Sequence, residues 1–346
     1  MRINLETLMK IAKETSERRA RTDRDLLAVY LHGSLLEGDP LLGGTTDIDL
    51  VFIHFDEVLT PREIQRLTDE VHLDIAHHAR REYHQARSLR LHPWIGPTLF
   101  AGKVLYDPQH FLDFTQASVR SQFNRPDYVL GRAYSQAKHA RQMWLSLHEQ
   151  SDEPGWDEVE LYLRAVGHVA NAVASLSGAP LTERRLLLKF PARAEAVAKP
   201  GLYAGLLGLL GGSNVDGATL QSWLSLWEEA YRSVPVMNAP ARLHPERRLY
   251  YQRAMEKILE SERPQNILWT LLNTWTQAIG LMPADAKERQ AWQEIVQHLG
   301  LWGEEFRQRV NALDAYLDNV EEVLEQWGRH KGVEYPPEQL IRSPWL

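Results

Sequence analysis

The chain contains no cysteine. Disulfides, thiolate metal sites and cysteine nucleophiles are therefore excluded, and its chemistry must rest on oxygen and nitrogen groups. Surplus positive charge is also missing: 39 Lys and Arg stand against 46 Asp and Glu, a formal net charge of −7. That argues against a broad basic face coating extended nucleic acid, while leaving room for a local basic pocket around a nucleotide. Long apolar runs are lacking as well. The stretch from Met1 to Arg19 has no apolar core of signal-peptide length, and the most apolar segment, Gly201 to Gly212, is too short to span a bilayer. A cytoplasmic protein with no membrane segment is the expectation. A 44% hydrophobic and 25% charged composition is that of an ordinary globular protein, and 346 residues suffice for two domains or three.

Residues 3–19 carry Leu5, Leu8, Met9 and Ile11 at helical spacing. Residues 26–32 form a short apolar run ending at Gly33-Ser34, which reads as a buried strand and a tight turn. Residues 38–46, with three glycines and a proline, read as loop. From Asp47 to Phe55 the alternation predicts a strand with Ile48, Leu50 and Phe52 on one face and Asp47, Asp49 and Val51 on the other. Thr60-Pro61 followed by Glu63 has the pattern of a capped helix start. Val71 to Ala76 reads as a further strand, Arg80 to Arg90 as a basic, partly helical stretch, and Lys103 to Tyr106 as a last strand.

Beyond about Gln109 no period-two segment is found. Amphipathic stretches follow at roughly 109–122, 127–149, 156–177, 216–232, 246–262, 264–279, 285–298 and 302–327. Breaks are expected at Asp152-Glu153-Pro154-Gly155, at Gly211 to Asn214 and at Met237 to Pro240. The expected architecture is an α/β (α+β) domain with a small mixed sheet over 1–122, then a mostly α-helical bundle region over 123–346, with 235–245 as a candidate point of further division.

Three carboxylates carry the chemistry. Asp47 and Asp49 lie two apart on one strand, so they share a face. Asp74 sits between Leu73 and Ile75 in another strand, where a carboxylate is costly unless it serves an ion or a partner. Beside the first pair it would complete a cup of hard oxygen ligands suited to Mg²⁺ or Mn²⁺. The small turn at Gly33-Ser34 would let backbone N–H groups and a hydroxyl approach a phosphate, aided by any helix starting there.

Leu31-His32-Gly33-Ser34, twelve residues, Asp47-Ile48-Asp49-Leu50 and a later Leu73-Asp74-Ile75 form an ordered set over residues 25–107. It resembles the nucleotidyltransferase superfamily that includes DNA polymerase β and the aminoglycoside nucleotidyltransferases. The resemblance implies that Asp47 and Asp49 hold the metals bridging a nucleoside triphosphate such as ATP, and that Gly33 and Ser34 grip its β- and γ-phosphates. Asp74 would ligate a second metal or help deprotonate the acceptor. The implied reaction is in-line attack of an acceptor hydroxyl on the α-phosphorus with release of pyrophosphate. A small-molecule acceptor leads, because a broad basic surface is lacking. Nucleotidylation of a protein or RNA, or a non-catalytic nucleotide-binding or interaction module, are the alternatives, and a homodimer is left open.

Other candidates have plainer explanations. His72, His77, His78 and His84 cluster in sequence but need not hold a transition metal. Arg80, Arg81, Arg87 and Arg90 read first as a solvated helix face, and Lys103 as a strand-end residue facing water. Trp144, Trp156, Trp223, Trp227, Trp269, Trp275 and Trp292 read as helical core. Glu158 and Glu160 suit the positive end of a helix, and either is a candidate general base by analogy with small-molecule nucleotidyltransferases.

Overall fold

The computed structural model describes residues 3–149, 154–235 and 239–335. The chain divides into two compact units, Met1–Tyr128 and Val129–Leu346.

The first unit is built on a five-stranded mixed sheet of order β3-β4-β2-β1-β5. Its strands are β1 (Leu26–His32), β2 (Thr46–His54), β3 (Arg62–Arg66), β4 (Val71–Ala79) and β5 (Lys103–Tyr106). Only the β2–β4 pair is parallel; β1–β2, β1–β5 and β3–β4 are antiparallel. Both faces of the sheet are covered. The first helix, α1 (Leu5–Thr22), places Leu8 and Ala12 against Ile48, Leu50, Phe52, Leu73 and Ile75. Its start is fixed by Asn4, whose side chain accepts from the Thr7 backbone N–H at 2.8 Å. The opposite face, with Tyr30, Val51 and Ile53, packs against residues of α2 (Ala86–Leu91), α3 (Ile95–Ala101) and α4 (Phe111–Arg120). The period-two reading of 47–53 holds: even-numbered apolar residues enter the α1 core and odd ones the other.

Two expectations are corrected here. Residues 62–66 form the edge strand β3 rather than a helix after Thr60-Pro61. The Pro61 carbonyl accepts from the His77 backbone N–H at 2.9 Å, and the Glu63 side chain accepts from Arg19 on α1 instead of capping a helix. Sheet pairing with β4 satisfies the backbone, and that outweighs a local capping signature. At Ser34–Glu37 the chain makes a single four-residue 3-10 turn, so no full helix adds a positive end at the Gly33-Ser34 turn.

The described residues of the second unit form helices and their connections, with no strand. Its elements are α5 (Pro126–Glu149, whose first turn precedes the unit), α6 (Trp156–Ser175), α7 (Leu186–Ala196), α8 (Gly201–Leu209), α9 (Gly217–Arg232), α10 (Arg248–Leu259), α11 (Leu268–Gly280), α12 (Lys287–His298) and α13 (Glu304–Lys331). Two of these, α7 and α8, fall in a region where the sequence showed no amphipathic stretch; α7 carries Pro191 internally and α8 is rich in glycine. The breaks expected at 152–155 and 237–240 lie in part outside the described residues. Trp223, Trp227, Trp269, Trp275 and Trp292 are buried, as core residues should be, whereas Trp144 and Trp156 are half-buried. Among the described residues, no helix is long and apolar enough to cross a membrane.

Candidate metal and nucleotide site

Strand register assembles the site. Asp49 is the Cα partner of Asp74 across the parallel β2–β4 pair, and of His32 across the antiparallel β1–β2 pair. His32, Asp49 and Asp74 therefore form one row across three neighbouring strands, spaced by about 4.8 Å per strand. Asp47, two residues before Asp49, is in register with His72. Each of Asp47, Asp49 and Asp74 offers a carboxylate oxygen, and the three oxygens lie within 4.8 Å of one another. Asp47 and Asp74 are buried and Asp49 is half-buried.

Three carboxylates so close repel one another and are poorly hydrated, which is tolerable only if cations share the site. One is part of the protein. Arg62, on the edge strand β3, donates from Nε to Asp74 Oδ1 at 2.6 Å and from Nη2 to Oδ2 at 2.7 Å. Such a two-pronged guanidinium–carboxylate pair is among the stronger charged contacts. Asp74 is buried, yet the Arg62 side chain is 47% exposed and reaches the carboxylate from the solvent edge.

The all-oxygen donor set fits a hard divalent ion such as Mg²⁺ or Mn²⁺ and offers nothing to a soft metal. With one divalent cation added to Arg62, the three carboxylate charges are balanced.

Gly33 follows β1 with φ +81°, a conformation that favours glycine. A Cβ at this position would stand 2.0 Å from Asp49 Oδ2, so the Asp49 carboxylate lies directly against the Gly33 backbone. The Gly33 carbonyl accepts from the Leu36 backbone N–H at 3.0 Å, closing the turn that carries Ser34. Ser34 is half-buried at the start of this turn.

Two residues given no role from sequence stand at the cup. Arg62 is one. The other is His32, whose pKa is lowered to about 4, chiefly by burial, against the opposing pull of Asp74 and Asp47 and with a further push from Arg62. It is neutral at neutral pH. The only signal for His32 was its place immediately before Gly33; Arg62 gave none, because its partner is distant in sequence. Deeper in the same face, Tyr83 bridges Tyr30 (3.1 Å, hydroxyl to hydroxyl) and His78 Nδ1 (2.7 Å).

The remaining candidates are dispersed. His72 shares the face of Asp74, whereas His77 lies on the α1 face, paired with His54 at 2.9 Å. His84 caps the 3-10 turn at Arg80–Tyr83 through its backbone. Arg81 pairs with Glu57, Arg80 lies over the Phe111 ring, and Arg90 donates to Gln122 at 3.1 Å and to the Ser118 carbonyl. Arg87 on α2 and Lys103 on β5 are both exposed. In the second unit Glu158, the third residue of α6, accepts from the backbone N–H of the N-cap Gly155 at 2.7 Å; Glu160 lies within the same first turn and a half.

No protein-family model matches the sequence, and no curated protein does. Among solved structures the chain is similar to a nucleotidyltransferase-like protein from Exiguobacterium sibiricum 255-15, at 12% identity over 94% of this chain and 92% of that one, with a TM-score of 0.32.

Proposed function

We propose that the protein is a metal-dependent nucleotidyltransferase. It moves a nucleoside monophosphate from a nucleoside triphosphate to an acceptor hydroxyl, with a small molecule as the leading acceptor. The observation that carries this reading is the convergence of Asp47, Asp49 and Asp74 within 4.8 Å, with Asp49 packed against the Gly33 turn.

Asp47 and Asp49, with Asp74 beside them, would hold Mg²⁺ or Mn²⁺. When bound, the metal neutralises charge on the triphosphate and on the attacking and leaving oxygens. The Gly33-Ser34 turn would hold the β- and γ-phosphates through backbone N–H groups and the Ser34 hydroxyl. The acceptor oxygen attacks the α-phosphorus and gives up its proton to solvent water, the bond to the β-phosphate oxygen breaks, and pyrophosphate leaves with that electron pair. A carboxylate held by a guanidinium is a weak base. Asp74 is therefore assigned to holding metal rather than to taking the acceptor's proton. The net charge of −7 favours a small acceptor over extended nucleic acid.

The Arg62 pairing also favours a second reading, a non-catalytic nucleotide-binding module in which Asp74 is permanently occupied. Calorimetry with a non-hydrolysable ATP or GTP analogue and Mg²⁺, on the wild type and on Asp47→Asn/Asp49→Asn, tests the site. Mg²⁺-dependent binding lost in the variant supports it; absent binding, or equal binding by the variant, overturns it. Release of pyrophosphate in an acceptor screen then separates enzyme from module.

A further inference from the structure

The helical unit contains a second cluster of chemistry-bearing side chains, between α5 and α6. On α5, Arg132, Gln136 and His139 recur at intervals of four and three residues, and on α6 Arg164 and His168 are four apart, so each set shares one helix face. Side-chain contacts bring the two faces together. His168 Nδ1 lies 2.5 Å from Gln136 Oε1, and the His139 and His168 rings are 5.5 Å apart, tilted by 31°. Gln136 and Arg132 are buried, His139 and His168 half-buried, and Arg164 exposed, so the cluster runs from the core to the surface.

The polar groups are not mutually satisfied. The Gln136 oxygen is an acceptor, so His168 donates from Nδ1–H and, as a neutral ring, presents a bare lone pair at Nε2. The other half of the same amide, Nε2, is buried with no hydrogen-bond partner. An unmet buried donor costs about 1–3 kcal/mol, which an apolar side chain would avoid. Burial pulls the His168 pKa down to about 4, and the titratable groups acting on it, His139 and Arg164, are both cationic when charged.

We infer that this seam binds a phosphoryl group, with Arg164 and His139 as its donors and His168, oriented by Gln136, as its acceptor. A protonated phosphate oxygen can donate to the His168 lone pair while its other oxygens accept from Arg164 and His139. A carboxylate or a sulfate near neutral pH has no O–H to give. The inference does not depend on the role of the carboxylate cup in the first unit.

The test is titration of inorganic phosphate into the full chain carrying Asp47→Asn/Asp49→Asn, which removes metal-dependent phosphate binding at the cup. Histidine ring resonances are followed by NMR and assigned with His139→Gln and His168→Gln. Saturable shifts of those two resonances are expected, with sulfate and acetate binding more weakly. Arg164→Ala, at an exposed position, should leave the urea unfolding curve unchanged and weaken phosphate about tenfold, equivalent to about 1.4 kcal/mol. A parallel titration with AMP distinguishes a nucleotide phosphoryl group, if it binds more tightly, from free phosphate, if it does not. Absence of saturable shifts, equal affinity of Arg164→Ala, or equal affinity for sulfate would overturn the inference.

Discussion

Arg62 holds both carboxylate oxygens of Asp74, at 2.6 and 2.7 Å, from an edge strand hydrogen-bonded to the strand that carries Asp74. The guanidinium thus supplies part of the positive charge that three converging carboxylates require. Whatever else binds in the cup does so in its presence or displaces it.

Removal of that charge should be felt most in the metal-free protein. Arg62→Ala deprives a buried carboxylate of its guanidinium and is expected to cost about 1–3 kcal/mol, toward the low end because Arg62 is partly solvated. Added Mg²⁺ should raise the urea midpoint of the variant more than that of the wild type. Equal responses to Mg²⁺ would mean that Asp74 and the metal do not share a site.

Gly33→Ala should disable the cup without unfolding the sheet. The new methyl meets Asp49 Oδ2 at 2.0 Å in a backbone conformation of φ +81°. Backbone strain of about 1–2 kcal/mol is expected, along with displacement of the Asp49 carboxylate. Gly38→Ala is the control: its φ is +82°, but nothing lies within 4 Å of the added carbon. Both variants should lose similar stability in urea, and only Gly33→Ala should lose Mg²⁺-dependent nucleotide binding.

Stability should fall on mild acidification. Burial lowers the pKa values of His92 and His168 from 6.5 to about 4. The native state therefore binds these protons more weakly than the unfolded chain does. Their contribution is fully present above pH 6.5 and is lost as pH falls from 6.5 towards 4. Together they should remove roughly 1–3 kcal/mol between pH 7 and pH 5, discounted for partial solvent access. Urea unfolding at the two pH values measures the loss, and His92→Gln should reduce it. His92 is the sharper probe, because its Nδ1 accepts from the backbone N–H groups of Trp94 (3.1 Å) and Ile95 (3.0 Å) and protonation would break both contacts.

The strands β1, β2, β4 and β5 were legible because their apolar runs are short, bounded by turn residues and, in β2, strictly alternating. The two-residue spacing of Asp47 and Asp49 likewise follows from strand geometry alone. Residues 62–66 were not legible. Ile64 is the only apolar residue there, and Thr60, Pro61 and Glu63 imitate a helix start. What makes the segment a strand is its hydrogen bonding to β4, a tertiary fact. Arg62 was missed for the same reason, since twelve residues and a change of strand separate it from Asp74. In the helical unit, α7 and α8 were obscured by Pro191 and by closely spaced glycines, whose weak helix propensity packing overrides. The pairing of His168 with Gln136 joins two helices that were each legible, yet nothing local reports which faces meet.

The absent side chain at Gly33 ties two positions into one unit of inheritance. The volume that a methyl group would need at residue 33 is filled by the carboxylate of residue 49. Substitutions at the two sites should therefore be epistatic: alanine at 33 displaces the carboxylate while residue 49 is aspartate, and meets no such group once residue 49 has been shortened. Among homologues, lineages that abandon the aspartate at 49 should be those in which the glycine at 33 is free to drift, and the paired loss would mark descendants that have kept the sheet while giving up the cup.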